Sequence, residues 1–301
     1  MFRTVLIKKS SKLQYLQGYL VIYDGEEERK IFLKDVSLLL VESTGTLITF
    51  PLLIECIKNN IAVVFCNEKH NPVGTLLGYT NNYNNSGNIY KQLEWKPDTK
   101  SKLWKSIVES KIKMQIEALK LYTKSNPILE TYVNGVTLND QTNREGLAAK
   151  VYFNDFFGTY FSRSEETPLN SLLDYGYSII LSCFNREIVA AGYLTQLGIY
   201  HQGKTNPFNL SSDFMEPFRP IVDVIVLESK SLQNPLTHIR KVLTKQIIVN
   251  GEERYIDDAI GIYVMNLVRY LNEDTNQIPI LNFKNLEHYK IDTNYETNSD
   301  V

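Results

Sequence analysis

The sequence predicts an α+β fold segregated along the chain: a small β-rich N-terminal domain over residues 1–80, then a larger all-α C-terminal domain over residues 100–290. Three observations carry this. Short runs rich in Val, Ile, Leu and Tyr, separated by turn residues, fill the first part of the chain. From about residue 98 the apolar period becomes that of a helix. Between them the polar run NNYNNSGN, residues 81–88, has no periodicity, so residues 81–99 read as a linker or loop.

Residues 4–7, 19–23, 31–33, 38–41 and 46–50 read as strands. Asp24-Gly25 reads as a hairpin turn, because glycine accepts the positive φ such turns require. Pro51 opens a short helix over 52–58. The run IAVVFC, 61–66, has the length of a buried strand, and 75–79 reads as another. In the second half, Leu103, Trp104, Ile107, Val108, Ile112, Ile116 and Leu119 make one helical stripe. Residues 143–160 form a second helix, whose Gly146, Ala148 and Ala149 admit a close neighbour. Thr167 caps and Pro168 starts a third, nearly all apolar and so expected to be buried on every side. Asn185 is expected to cap a fourth, ending at Gly198. Helices are also expected over 217–228, 236–249 and 256–271, and a frayed polar tail over 291–301.

Composition narrows the class. The 301 residues, 43% hydrophobic and 22% charged, suit a folded protein of two domains. No uncharged apolar run approaches the about 18–20 residues that cross a bilayer, and nothing at the N-terminus reads as a signal peptide. Three cysteines, Cys56, Cys66 and Cys183, lack metal-ligand spacing and fit a reducing cytoplasm. The net charge of −2 hides local basicity. Residues 91–124 hold nine lysines against four acids, and residues 229–251 hold Lys230, Arg240, Lys241 and Lys245 with no acid. Such patches bind phosphate backbones even on a neutral protein; they also simply coat solvated helix faces. Both readings stay open at this level.

Glycine-rich phosphate loops, a GxSxG elbow and CxxC pairs are absent, which disfavours nucleotide-binding enzymes in particular. His201 stands out among the four histidines. It follows the helix stop Gly198 in a polar loop that leads to Asp213 and Glu216, carboxylates one helical turn apart. Carboxylates with a neutral imidazole hold Mg²⁺ or Mn²⁺, and the nitrogen tilts the preference towards Mn²⁺. The same D-x-x-E spacing is also a helix capping box headed by Asp213, although Pro220 sits badly inside a helix begun there. Glu145, in a first helical turn, is equally a residue favoured by the helix dipole. It joins His201 and Glu216 only if the fold brings them together.

Four segments, in order, resemble one family. Asn143-Arg144-Glu145-Gly146 with Ala148, Ala149, Tyr152 and Phe153 resembles the E-G-x-x-A-x-x-Y-F helix of the CRISPR-associated integrase, the first universal Cas protein. Asp174-Tyr175-Gly176-Tyr177-Ser178-Ile179 is similar to its N-Y-x-Y-x-x-L helix, with Asp where Asn is usual. Gly198 to His201 resembles its G-x-x-x-H segment, and residues 210–220 its L-x-x-D-x-x-E/D-x-x-R block. The resemblance covers nearly the whole chain, the C-terminal helices least clearly. It implies a metal-dependent DNA endonuclease and integrase that inserts spacer DNA into a CRISPR repeat array, with Mg²⁺ or Mn²⁺ as cofactor. Glu145, His201 and Glu216 match the metal ligands, Asp213 an acidic position that supports them, and Arg219 a basic position beside them. The family further implies a homodimer paired through its β-domains. Two dimers would be bridged by the small second universal Cas protein into a heterohexamer acting on double-stranded DNA. The NEKHNPVG segment, 67–74, looks most like the type II subfamily, which implies work beside an RNA-guided effector nuclease.

Lys102, Lys105, Lys113, Lys230, Arg240, Lys241 and Arg219 are the expected DNA contacts. Two rival readings keep the site or the DNA but not the reaction: a general metal-dependent nuclease, and a DNA-binding scaffold with a degenerate metal site. Because a protonated imidazole cannot ligate, activity is expected to fall below about pH 6.5, the unperturbed histidine value; a profile flat from about pH 5.5 to 8 would count against His201 as a ligand.

Overall fold

The computed structural model describes residues 3–25, 27–68, 72–78, 85–122, 124–285 and 288–289. The expected tail over 291–301 and part of the 67–74 segment, including His70, lie outside them. The N-terminal lobe consists of β1 (Arg3–Ile7), β2 (Lys12–Leu16), β3 (Tyr19–Tyr23), β4 (Glu28–Phe32), β5 (Val36–Val41), β6 (Leu47–Ile48), α1 (Phe50–Lys58), β7 (Ala62–Cys66) and β8 (Pro72–Thr75). They form two four-stranded sheets, ordered β1-β5-β7-β8 and β4-β3-β2-β6. Strands β1, β5 and β7 run parallel.

Every residue of β5 is buried, so its LLLV run shows no polar alternation, and the one polar side chain, Ser37, is buried with it. Successive side chains of a strand point to opposite faces, and here each face meets a different core. Leu39 and Val41 pack with Leu13, Leu20, Leu52 and Val63 inside the lobe, whereas Leu38 and Leu40 join the core of the helical lobe. Gly25 takes the positive φ expected of its turn, between the antiparallel β3 and β4. Strand β2 was not expected. Its turn to β3 places Gln17 and Gly18 at φ 48° and 89°, and glutamine carries no turn signature. The strand expected over 46–50 shrinks to β6 because α1 already begins at Phe50, and that expected over 75–79 is replaced by β8, which ends at Thr75.

The second lobe consists of α2 (Asn85–Leu93), α3 (Pro97–Lys120), α4 (Pro127–Asn134), α5 (Arg144–Phe157), α6 (Pro168–Ala190), α7 (Asn209–Met215), α8 (Arg219–Ser229), α9 (Pro235–Ile239), β9 (Gln246–Val249), β10 (Glu252–Tyr255), α10 (Ile256–Leu271) and β11 (Leu281–Phe283). Helix α3 is its spine, with α4, α5, α8 and α10 packed around it and the predicted stripe buried. Thr167 caps α6 as expected, accepting the Asn170 N–H at 3.2 Å.

Three expectations are corrected. Residues 81–99 are not a bare linker: α2 and the start of α3 fall within them, and Gln92 ties α2 to the lobe by donating to the Leu194 carbonyl at 2.8 Å. Asn185 caps nothing, because α6 runs through it on its buried side as far as Ala190. Residues 236–249 are not one helix. The β-branched run QIIV pairs as β9 with β10 about Asn250-Gly251, both at positive φ, and β11 lies on its other edge. The lobe is therefore mostly helical, not all-α.

Two polar clamps hold β5 to the helical lobe. At one end Glu42, only 2% exposed, accepts Arg240 Nε at 2.7 Å, Arg240 Nη2 at 2.5 Å and the Tyr175 hydroxyl at 2.6 Å. At the other, Arg186 of α6 donates to the Ser37 carbonyl at 3.1 Å and to Asp257 at 2.7 Å. Breaking a buried, bidentate pair costs more than replacing it by apolar packing. Arg240→Ala is therefore expected to lower stability by about 3 kcal/mol. Urea denaturation would show this as a lower midpoint at unchanged slope, and the Glu42→Leu/Arg240→Leu double variant would recover most of it. Equal losses in the single and double variants would mean that the pair contributes only its volume.

Candidate active site

Glu145 is set by the way the chain enters α5. Asp140, in a 3-10 turn, accepts the backbone N–H groups of Arg144 and Glu145 at 2.8 and 2.9 Å and so caps the helix. Asn139, Asp140 and Asn143 all take positive φ, a conformation Asn and Asp tolerate best after glycine. Gly146 leaves room for the Asn143 side chain, whose oxygen would lie 2.7 Å from a Cβ there and would have to turn aside. Glu145 then reaches α3, where its Oε1 accepts Lys111 Nζ at 2.6 Å.

The same ammonium donates to Glu216 Oε2 at 2.5 Å. Glu216 opens a 3-10 turn between α7 and α8, where Pro217 and Pro220 forbid one continuous helix. Its other oxygen accepts Arg219 Nε at 2.9 Å, and the Arg219 guanidinium lies 4.8 Å over the Tyr177 ring. Burial alone would raise the Glu216 carboxyl, but Arg219 and Lys111 outweigh it and hold the group at about 2. Burial likewise opposes the Lys111 charge, and Glu216 and Glu145 overcome it, so the ammonium loses its proton less readily than a free lysine.

His201 is presented by the loop after α6. Gly198 lets that loop close over Asp213: a Cβ there would lie 2.3 Å from the His201 carbonyl and 2.7 Å from Asp213 Oδ2. Asp213, wholly buried within α7, accepts the N–H groups of Ile199, Tyr200 and His201 at 2.7, 3.0 and 3.1 Å. It also meets His201 Nδ1 at 2.6 Å. Tyr200 stacks on Trp104 with centroids 4.2 Å apart, and His201 stands edge-on to the same indole at 5.6 Å. Trp104 and Lys111 are seven residues apart, two turns of α3, so one helix face floors the whole site. No hydrogen bond engages His201 Nε2 among the described residues. The bond to Asp213 raises the His201 pKa above 6.5, burial opposing it.

Glu145, Glu216 and His201 are thus gathered along one face of α3 from three separate elements. Asp213 and Glu216 do not form a capping box, since Asp213 lies inside α7 and holds the histidine loop instead. Two carboxylates and an imidazole nitrogen are a donor set suited to Mg²⁺ or Mn²⁺, and the Lys111 ammonium stands between the carboxylates as a cation already does. Among the described residues, no three His, Cys, Asp or Glu side chains are close enough to hold a metal ion as they stand.

The expected DNA contacts separate. Arg219 is held by Glu216, and Arg240 is buried in the Glu42 clamp, which removes it from any DNA-facing surface. Lys102 precedes Lys111 by two and a half helical turns and Lys113 follows it by 200°, so both project from the far side of α3. Lys102 and Lys105 pair with Asp98 and Glu109 at 2.6 and 3.7 Å. Lys230 and Lys241 are exposed. Lys100 and Lys204, by contrast, line a cleft of about 570 Å³ with His201 and Asn209.

Sequence reasoning missed Lys111, although a lysine inside the stripe between Ile107 and Ile112 was a visible anomaly. It also missed Asp140 and Asp223. The latter lies wholly buried beneath Tyr177, whose hydroxyl donates to it, and burial pushes it up to about 6.

A β lobe clamped to a helical lobe, with carboxylates and an imidazole converging on one central helix beside a basic cleft, defines the class: a two-lobed α+β protein with an acid–imidazole centre. The profile of the CRISPR associated protein Cas1 family matches residues 4–235. A CRISPR-associated endonuclease Cas1 of Neisseria meningitidis serogroup C is 32% identical over 263 residues, spanning 83% of this chain and 86% of that protein. Among solved structures, a casposase bound to its integration product superposes with TM-score 0.77 at 19% identity over 92% of both chains. A Cas6-RT-Cas1–Cas2 complex superposes with TM-score 0.68 at 17% identity, over 96% of this chain and 36% of that one. The chain belongs to the Cas1 family. No helix among its described residues is long and apolar enough to cross a membrane.

The Asp213 contact moves the expected acid limb of activity above pH 6.5, since the imidazolium persists to higher pH than in a free histidine. In an imidazole NMR titration with chelator present, His201 is expected to titrate above 6.5 in the wild type and lower in Asp213→Asn. Identical titrations would sever that link.

Proposed function

We propose that this chain is a metal-dependent DNA integrase of CRISPR adaptation, joining the 3′-hydroxyl ends of short duplex DNA to phosphodiesters at the edge of a repeat. The observation that carries the reading is the convergence of Glu145 and Glu216, from α5 and the turn before α8, on one cationic position beside His201. Kinship to an endonuclease of the same family and to a casposase seen with its integration product supports it.

Glu145, Glu216 and His201 Nε2 would hold Mg²⁺ or Mn²⁺. Bound there, the ion supplies Lewis acidity at the phosphate under attack. The chain's own part is positional. Asp213 fixes the imidazole by its Nδ1 and keeps Nε2 available, Arg219 orients Glu216 and keeps it ionised, and Tyr177 supports Arg219 from below. Lys100 and Lys204 flank the cleft where a DNA backbone would lie, with exposed Lys230 and Lys241 further along the lobe. A homodimer paired through the β lobes, bridged to a second by the small second universal Cas protein in a cytoplasmic heterohexamer, is the assembly we propose. The fold neighbour solved as a Cas6-RT-Cas1–Cas2 complex supports a partner of that kind. Work beside a type II effector nuclease is part of the same proposal.

The test is strand transfer with the small partner, a short duplex and a plasmid bearing the repeat array, in Mn²⁺, Mg²⁺ or chelator. Joined product that needs metal and falls at least about 100-fold in Glu145→Ala, His201→Ala and Glu216→Ala is the expected result. Nicking without joining would favour a general nuclease. DNA binding with no metal-dependent product would favour a scaffold.

A further inference from the structure

We propose that Lys111 is an internal stand-in for the metal: its ammonium occupies the cation position between Glu145 and Glu216 in the metal-free protein and withdraws when a divalent ion loads. This rests on the reading of those two carboxylates as metal ligands. Lys111 projects from the buried face of α3, in line with Trp104, Ile107 and Ile112, where a lysine has no packing advantage over an apolar residue. Its Nζ bridges two carboxylates that come from two different elements, α5 and the turn before α8, both packed against α3.

Both oxygens of Glu216 are engaged, Oε2 by Lys111 and Oε1 by Arg219. Each oxygen keeps a second lone pair, but an ion shared by Glu145 and Glu216 would have to take the space between them that the Lys111 Nζ fills. Arg219 is fixed over the Tyr177 ring, and its bond involves Glu216 alone. Lys111 holds the position shared by both carboxylates, on a long flexible stem whose ammonium re-forms its hydrogen bonds readily in water. Charge points the same way. Lys111 and Arg219 already balance Glu145 and Glu216, so a divalent ion added beside them would leave a nearly buried centre with two excess positive charges. Withdrawal of the ammonium removes one of these. The lysine thus keeps two close carboxylates from repelling each other before loading, and it sets a threshold that the ion has to exceed.

The experiment is calorimetric Mn²⁺ titration of the full chain, comparing wild type, Lys111→Met and Glu216→Gln. Lys111→Met is expected to bind Mn²⁺ about tenfold tighter than wild type or more, and Glu216→Gln to bind weakly or not at all. Binding by Lys111→Met equal to or weaker than wild type, with Glu216→Gln still defective, overturns the stand-in role alone. Binding that is absent from the wild type, or indifferent to Glu216→Gln, overturns the ligand assignment and the inference with it. A second measurement needs no variant. In reductive methylation of the wild type read by mass spectrometry, Lys111 is expected to be protected in chelator and modified in saturating Mn²⁺. Protection that persists in Mn²⁺ overturns the proposal even if Lys111→Met fails to fold.

Discussion

Four charged side chains, Lys111, Glu145, Glu216 and Arg219, meet against a helix whose remaining inward face is apolar apart from Gln115. None can be removed from water without a partner, because an isolated ion in such surroundings costs several kcal/mol. Each therefore fixes the position of the next. Arg219 restrains Glu216, Glu216 shares Lys111 with Glu145, and Glu145 sits where Asp140 starts its helix. The break between α7 and α8, the left-handed residues before α5 and the glycine beside them can all be understood as what the backbone has to do to satisfy that cluster.

The histidine is held on a different principle. Among the described residues no lysine or arginine bonds Asp213; its four contacts come from three backbone N–H groups and one imidazole, all from a single tight loop. One half of the centre is thus organised by charge pairing between helices, the other by a carboxylate that folds a loop around itself. The two halves are joined along the chain, Asp213 and Glu216 being three residues apart in consecutive elements, and both rest on α3, through Trp104 and Lys111.

Much of this was legible in the sequence where a pattern has one physical meaning. The 3.6 period of α3 and α10, the Thr167-Pro168 start of α6 and the continuous apolar run of β7 all became what they predicted. The failures share a cause: local pattern cannot report tertiary partners. Asn185 looks like a cap until α6 is seen to need it inside a longer buried helix. Arg240 looks like a surface cation because its partner, Glu42, lies almost two hundred residues away. Asn250-Gly251 is a hairpin signal that the helical reading of 236–249 passed over, because the apolar run before it fits a short helix as well as a strand. Glu145, His201 and Glu216 were singled out through ordered motifs; their spacing alone left each with an ordinary structural alternative. Lys111 belongs to none of those motifs, and only the contacts across three elements give it a role.

Strand β5 gives one side to each hydrophobic core and is clamped at both ends, so the two lobes have no independent hinge at that seam. Whatever fastens the β lobe also aims the helical lobe. In any assembly built on the β lobe, the distance and angle between neighbouring centres would be inherited from the mounting, much as the spacing of a caliper's jaws is inherited from its frame.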